Sequence, residues 1–227
     1  MKRSGILQKL LTLLYPPRCM FCGVRVAAEK QVCPYCEKSF FGSSVLFRLP
    51  MGTRTVYGTA PCFYRDGVRR AMLRFKFHGR QEYAPYFAKK MEEAIRENGF
   101  AGRISYITDV PLSRKRLLAR GYNQSALLAK AVAEELGLPY EKTLHKYREN
   151  RPQHNLRAEE RRKNVRGVYR IEEGAAVSGK YYLLVDDIIT TGETLAECVR
   201  VLSAGGAAGV LCAAAAKAGE KHSRNSE

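Results

Sequence analysis

The sequence contains no run of about 18 consecutive apolar residues, which excludes a membrane-spanning helix. The nearest approach, Met1–Tyr15, is interrupted by Gln8 and Lys9. No small-residue cleavage site separates it from Pro16-Pro17 and the cysteine that follows, so it does not read as a secretory leader. A cytoplasmic protein is expected. Cysteine is scarce: seven in 227 residues are far too few for a secreted disulfide scaffold. Acids are scarce as well, 22 Asp and Glu against 39 Lys and Arg, a formal charge of +17. Such an excess serves nucleic acid or another polyanion, or only solubility, and its distribution must choose between them. No internal repeat is present. The Gly-Lys-Ser/Thr ending of the nucleotide-kinase phosphate loop is also missing. What remains is 45% hydrophobic, enough for a globular core, and the length fits one α/β domain plus a small module.

Residues 4–15 carry Ile6, Leu7, Leu10, Leu11 and Leu14 at helical spacing, with Ser4 as a cap and Pro16-Pro17 as a stop. Residues 54–64 read as a strand or hairpin. A helix follows from Asp66, which can cap it, and a second spans 83–98. Then strand and helix alternate: strand 104–110, helix 125–136, strand 181–185, helix 194–204 and strand 209–216. The run 181–185 is wholly apolar, as a strand buried on both faces requires. This order predicts a parallel sheet covered by helices on both faces.

Residues 182–194, Tyr-Leu-Leu-Val-Asp-Asp-Ile-Ile-Thr-Thr-Gly-Glu-Thr, take a buried strand into two acids, a small polar loop and a helix. Ligands of such sheets bind at the carboxyl ends of strands. Backbone amides of residues 190–194 opening a helix make an anion site, Gly192 admits a phosphate closely, and Thr191 and Thr194 add hydroxyl donors. Asp186 and Asp187 would repel a phosphate. They suit sugar hydroxyls, or Mg²⁺ held directly or through water. The pattern therefore implies a sugar phosphate. Two adjacent acids at the end of a buried strand are costly without such a task.

Cys19-Met-Phe-Cys22 and Cys33-Pro-Tyr-Cys36 supply four thiolates from two tight turns, the donor set of a closed tetrahedral zinc site. A closed site is structural. Redox-active CxxC is the alternative, but such motifs typically come singly at the start of a helix. Cys62, Cys198 and Cys212 read as small core residues.

Two basic segments complete the inventory. Strand 104–110 runs into a loop in which Arg114, Arg116, Arg120 and Gly121 suit a second anion such as pyrophosphate. Residues 146–170 hold nine Lys and Arg against three acids and read as a long mobile loop or a short helix between two strands. Its candidate residues are Arg148, Gln153, Arg161 and Asn164, and loops of this length inside compact domains tend to be lids. Either segment could instead be a merely solvated charged surface.

The 182–194 segment resembles the 5-phosphoribosyl-1-pyrophosphate (PRPP) fingerprint of the type I phosphoribosyltransferases at all thirteen positions. The four-cysteine module, Val110-Pro-Leu, Arg120-Gly-Tyr-Asn-Gln124, Gln153…Leu156…Arg161…Asn164-Val165…Gly167…Tyr169 and the fingerprint together resemble the ComF family of competence proteins, as do Leu13-Leu-Tyr-Pro-Pro17 and Lys76-Phe-His-Gly79. The family pattern has Thr or Ser where Asn150 stands. The resemblance implies a type I phosphoribosyltransferase-like α/β fold: a helix and zinc module over 1–50, a transferase-like domain over 51–216 with 51–100 as a hood or helical part, and a disordered tail over 217–227. It implies PRPP bound by Asp186, Asp187, Thr190, Thr191, Gly192, Glu193 and Thr194, the two acids on the ribose hydroxyls. Pyrophosphate would face Arg114, Arg116, Arg120 and Gly121. Asp186, Asp187 and Arg120 would act in catalysis, with structural zinc on the four cysteines and Mg²⁺ arriving with PRPP. The implied role is in natural transformation, handling imported single-stranded DNA beside other competence proteins, with transfer to an unidentified nitrogen acceptor. The rival is a non-catalytic adaptor whose PRPP site is a sensor or relic. It would bind single strands through Arg65, Arg69, Arg70, Arg74, Lys76 and Arg80 with Tyr64, Phe75 and Phe77 interleaved.

Overall fold

The computed structural model describes residues 16–148 and 165–219. The expected helix 4–15, residues 220–227 of the expected tail 217–227 and the candidate loop residues Gln153, Arg161 and Asn164 lie outside the described residues; Lys217 belongs not to a tail but to the last strand, which pairs it with Ile189.

After the cysteine module, with its short helix α1 (Pro34–Phe40), the chain forms a hairpin of β1 (Val45–Met51) and β2 (Arg54–Ala60). Helices α2 (Asp66–Phe77) and α3 (Ala84–Glu97) follow, then β3 (Tyr106–Asp109), α4 (Arg114–Arg120) and α5 (Gln124–Leu136). A small antiparallel ribbon of β4 (Leu144–Lys146) and β5 (Tyr169–Ile171) precedes β6 (Tyr181–Ile189), α6 (Glu193–Ala204) and β7 (Gly209–Lys217). The main sheet runs β1-β2-β7-β6-β3. β2, β7, β6 and β3 are mutually parallel, and β1 is an antiparallel edge. The parallel sheet expected from strand–helix alternation is present, extended by a hairpin. β1 straddles the boundary expected at residue 50, because its ladder to β2 ties it to the main sheet.

Alternation along β6 shows why its run 182–185 is apolar throughout. Leu183 and Val185 join one core with Met72, Phe75, Phe87, Met91, Leu128 and Val132 of α2, α3 and α5. Tyr182 and Leu184 join the other with Leu195, Cys198, Val199 and Leu202 of α6. Both faces are covered, so neither set of side chains meets water. Cys62, Cys198 and Cys212 are buried core residues, as expected. No helix among the described residues is long and apolar enough to cross a membrane.

Three local expectations need correction. Asp66 does not cap α2: Arg65 occupies the cap position without a side-chain bond, and Asp66 is the first helical residue at φ +44°. Residues 114–120 are not a loop but a helix, capped by Ser113 Oγ on the amide of Arg116 and ended by Gly121 at φ +79°. β6 does not end at Val185. It continues through both acids to Ile189, with Asp186 opposite Ala214 and Ile188 opposite Ala216 of β7.

Candidate functional site

A cleft of about 500 Å³ opens at the carboxyl ends of β3 and β6. Its walls include Lys76, Arg116, Arg120, Gln124, Ser125, Asp186, Asp187, Thr190 and Thr194, with Tyr64, Lys146 and Tyr169. Beside it, Thr190, Thr191, Gly192, Glu193 and Thr194 form a small cup that shares Asp186 with the cleft. Gly192 sits at φ +81° immediately before α6, and a Cβ there would lie 2.4 Å from Leu49 Cδ2. Glycine takes the left-handed backbone without strain and leaves the Leu49 side chain where it is. The cup lies at the amino end of α6, the positive pole of the helix, so this end favours an anion.

The acid pair is held from several directions. Ser125 Oγ donates to Asp186 Oδ1 at 2.9 Å, and the amide of Asp187 donates to the same oxygen at 2.8 Å. Lys76 Nζ lies 2.9 Å from Asp187 Oδ2. Asp186 is densely surrounded although its rim opens on the cleft. Burial, reinforced by the charge of Asp187, pushes its carboxyl up to about 7, against the pull of Lys76 and the Ser125 hydrogen bond.

The basic wall comes from α4. Arg116 and Arg120 line the cleft, whereas Arg114, at the start of the helix, is exposed and lies off its wall. Arg120 Nη1 donates to Gln124 Oε1 at 3.0 Å, and its guanidinium stacks 4.8 Å from the Phe77 ring. Burial lowers its basicity slightly, and the charge of Asp187 opposes that shift. Gly121 ends α4 rather than lining the cleft. Asn123 caps α5 and donates to Asp109 Oδ2 at 2.7 Å, while Tyr140 OH donates to Asp109 Oδ1 at 2.7 Å. This buried knot at the end of β3 fixes where α5 begins. Arg148, of the long basic segment, rests 5.5 Å from the Tyr147 ring.

Thus Asp186, Asp187, Arg116, Arg120 and the 190–194 cup converge on one site, and Arg114 does not join them. Sequence reasoning missed Ser125. Its only signal was its place beside the Arg-Gly-Tyr-Asn-Gln motif, which does not say that its hydroxyl reaches across to β6.

The second site is the cysteine module. The four sulfurs of Cys19, Cys22, Cys33 and Cys36 lie within 4.8 Å of one another, Cys22 and Cys33 at 3.7 Å. Tetrahedral zinc with arms of about 2.3 Å requires sulfur separations of about 3.8 Å, so the donor set fits zinc. Cys33 caps α1 through its sulfur, which accepts from the amide of Cys36 at 3.4 Å, and Pro34 occupies the first turn, where its missing donor costs nothing. All four sulfurs converge on one point, three of them buried and Cys22 exposed, and a four-thiolate set leaves no open position, so the site is structural. It is welded to the core by Phe21, whose ring meets those of Phe40, Phe41, Tyr86 and Phe87 at 5.3, 5.7, 6.0 and 6.1 Å.

Comparison with known proteins finds two family models. The double zinc ribbon domain matches residues 10–45, and the phosphoribosyl transferase domain matches residues 123–227. The DNA utilization protein YhgH of Salmonella typhi is 30% identical over 201 residues, 85% of this chain and 86% of that protein. Competence protein F of Haemophilus influenzae is 29% identical over 148 residues, 61% of this chain and 63% of that protein. Competence protein ComFC of Bacillus subtilis is 29% identical over 186 residues, 81% of this chain and 70% of that protein.

Proposed function

The chain belongs to the ComF family of competence and DNA-utilization proteins, and from that premise we propose that its cleft binds PRPP and transfers the phosphoribosyl group to a nitrogen acceptor. One observation carries the reading: the acid pair Asp186–Asp187 of β6, an anion cup at the start of α6 and the α4 residues Arg116 and Arg120 all face one cleft. The ribose hydroxyls sit on Asp186 and Asp187, the 5′-phosphate in the 190–194 cup and the pyrophosphate against Arg116 and Arg120. The oxygens of the acid pair also fit the hydration shell of Mg²⁺, which when bound neutralises pyrophosphate charge.

The chain's own residues then act as follows. Arg120 and Arg116 stabilise the negative charge that grows on pyrophosphate as the C1–oxygen bond breaks. Asp187, paired with Lys76 at 2.9 Å, and Asp186 hold the ribose while positive charge develops on it. The nitrogen nucleophile forms its bond to C1 as the C1–oxygen bond to pyrophosphate breaks, and its proton passes to the departing pyrophosphate. The relatives are named for competence and DNA utilization, which supports a setting in DNA uptake, and there we propose that the protein or its product serves imported single-stranded DNA in the cytoplasm.

The adaptor reading loses support from the same arrangement. Of its six cations, Arg70 and Arg74 donate to main-chain carbonyls of the cysteine module, and Lys76 is paired with Asp187. Phe75 is fully buried and offers no stacking face.

Titration calorimetry of PRPP with Mg²⁺ tests the proposal, with an Asp186→Asn/Asp187→Asn variant as control. Binding by the wild type that the variant loses, followed by pyrophosphate release on addition of an acceptor, is the expected result. No binding by the folded, zinc-loaded wild type would sink it.

A further inference from the structure

The carboxyl end of α2 touches four different residues of the cleft region. The carbonyl of Phe75 accepts from Tyr122 OH, and the carbonyl of Lys76 accepts from Gln124 Nε2 at 3.4 Å. Lys76 Nζ lies 2.9 Å from Asp187 Oδ2, and the Phe77 ring supports Arg120 at 4.8 Å. Three consecutive residues thus reach both the acid strand and the basic wall. They lie outside the segment that matches the transferase domain model, which begins at 123.

The same helix is fastened to the first cysteine knuckle. Arg70 Nη2 donates to the carbonyl of Phe21 at 3.2 Å, and Arg74 Nη2 to that of Met20 at 2.5 Å. Gly67 lets Phe21 close on the helix, for a Cβ there would lie 2.9 Å from Phe21 Cβ. Met20 and Phe21 stand between Cys19 and Cys22, so their carbonyls are placed by the thiolates on either side. Arg74 and Lys76 are two residues apart, about 200° around the helix, which turns one toward the knuckle and the other toward the cleft.

We infer that α2 is a strut through which the zinc ribbon sets the geometry of the sugar-phosphate site, with Lys76 as the positioning residue that holds Asp187 beside Asp186. The inference rests on the PRPP reading above. Two adjacent carboxylates repel, and without a cation between cleft and helix Asp187 turns away from its neighbour. The strut supplies that cation, and the ribbon fixes the strut. A packed helix of this kind transmits a shift as a rigid body.

The test is a cycle on the full-length, zinc-loaded protein: wild type, Arg74→Met, Lys76→Met, the double variant and Lys76→Arg. PRPP with Mg²⁺ is titrated by calorimetry, and amide hydrogen exchange is followed over residues 186–194. Zinc content should equal the wild type in all. Lys76→Met should weaken PRPP binding about tenfold and Arg74→Met about threefold. The double variant should lie within about twofold of Lys76→Met alone, because both act along one path. Lys76→Arg should recover most of the affinity. Unchanged binding in Arg74→Met, or losses that multiply in the double variant, would overturn the strut. If the wild type binds no PRPP, the PRPP reading has failed, and hydrogen exchange still decides the strut. Faster exchange over 186–194 in both single variants upholds it, and unchanged exchange refutes it.

Discussion

The two sites of this protein are built on opposite principles. The cysteine module gathers its ligands on one point, buries Phe21 in a ring of aromatics and hands the carbonyls of its first knuckle to the arginines of α2. The cleft turns its charges outward to a void, places one acid directly after another and opens a helix at a glycine with a left-handed backbone. The first arrangement maximises stability. The second gives stability away for binding, as functional sites commonly do.

Breaking the module should therefore cost the most. Cys36→Ser removes one of four converging thiolates, and zinc loss from such a site forfeits a large share of folding energy. Its melting temperature should fall by more than ~10 °C in calorimetry, with zinc content falling in parallel. Phe21→Ala leaves the ligands intact but empties the aromatic ring. Denaturant titration should show a loss of about 3–5 kcal/mol.

In the cleft the sign reverses. A carboxyl at about 7 in the folded state, against about 4 unfolded, binds its proton more tightly when folded. Stability contributed by Asp186 therefore falls as pH rises from about 4 to about 7 and stays level above. Asp186→Asn keeps an acceptor for Ser125 but carries no charge. It should be more stable than wild type by about 2 kcal/mol above pH 7, allowing for water in the cleft. The gap should close toward pH 4, while PRPP binding is lost. A wild type as stable as the variant at pH 8 would show that the cleft carries no such cost. The smallest effect is expected of Gly192→Ala, a loss of about 1–2 kcal/mol from the left-handed backbone and the contact with Leu49. Its phosphate affinity should fall more than its stability.

Much of this contrast is legible in the chain itself. Two CxxC pairs announce four thiolates, and an apolar run ending in two acids before Thr-Thr-Gly announces the cup, because short-range spacing alone defines both. What is not legible depends on distant partners. That β6 runs on through Asp186 and Asp187 follows from its ladder to the alanines of β7, and nothing within 182–194 reveals that ladder. That Lys76 belongs to the acid pair depends on how α2 crosses the sheet, more than 100 residues away in sequence. Arg114 falls off the cleft wall because the basic stretch winds into a helix, which points successive arginines in different directions.

The antiparallel strand β1 has a consequence for solubility. It leaves one rim of the main sheet without a neighbour among the described residues, and unpaired rims invite other chains to add strands. Here Pro50, which has no amide hydrogen to offer, stands near the end of that rim, and exposed Arg48 lies against Tyr57 along it. A proline and a cation on a seven-residue strand deter templated stacking. In a chain with a net charge of +17, the sheet is thus guarded against self-association both by long-range repulsion and by the chemistry of its outermost strand.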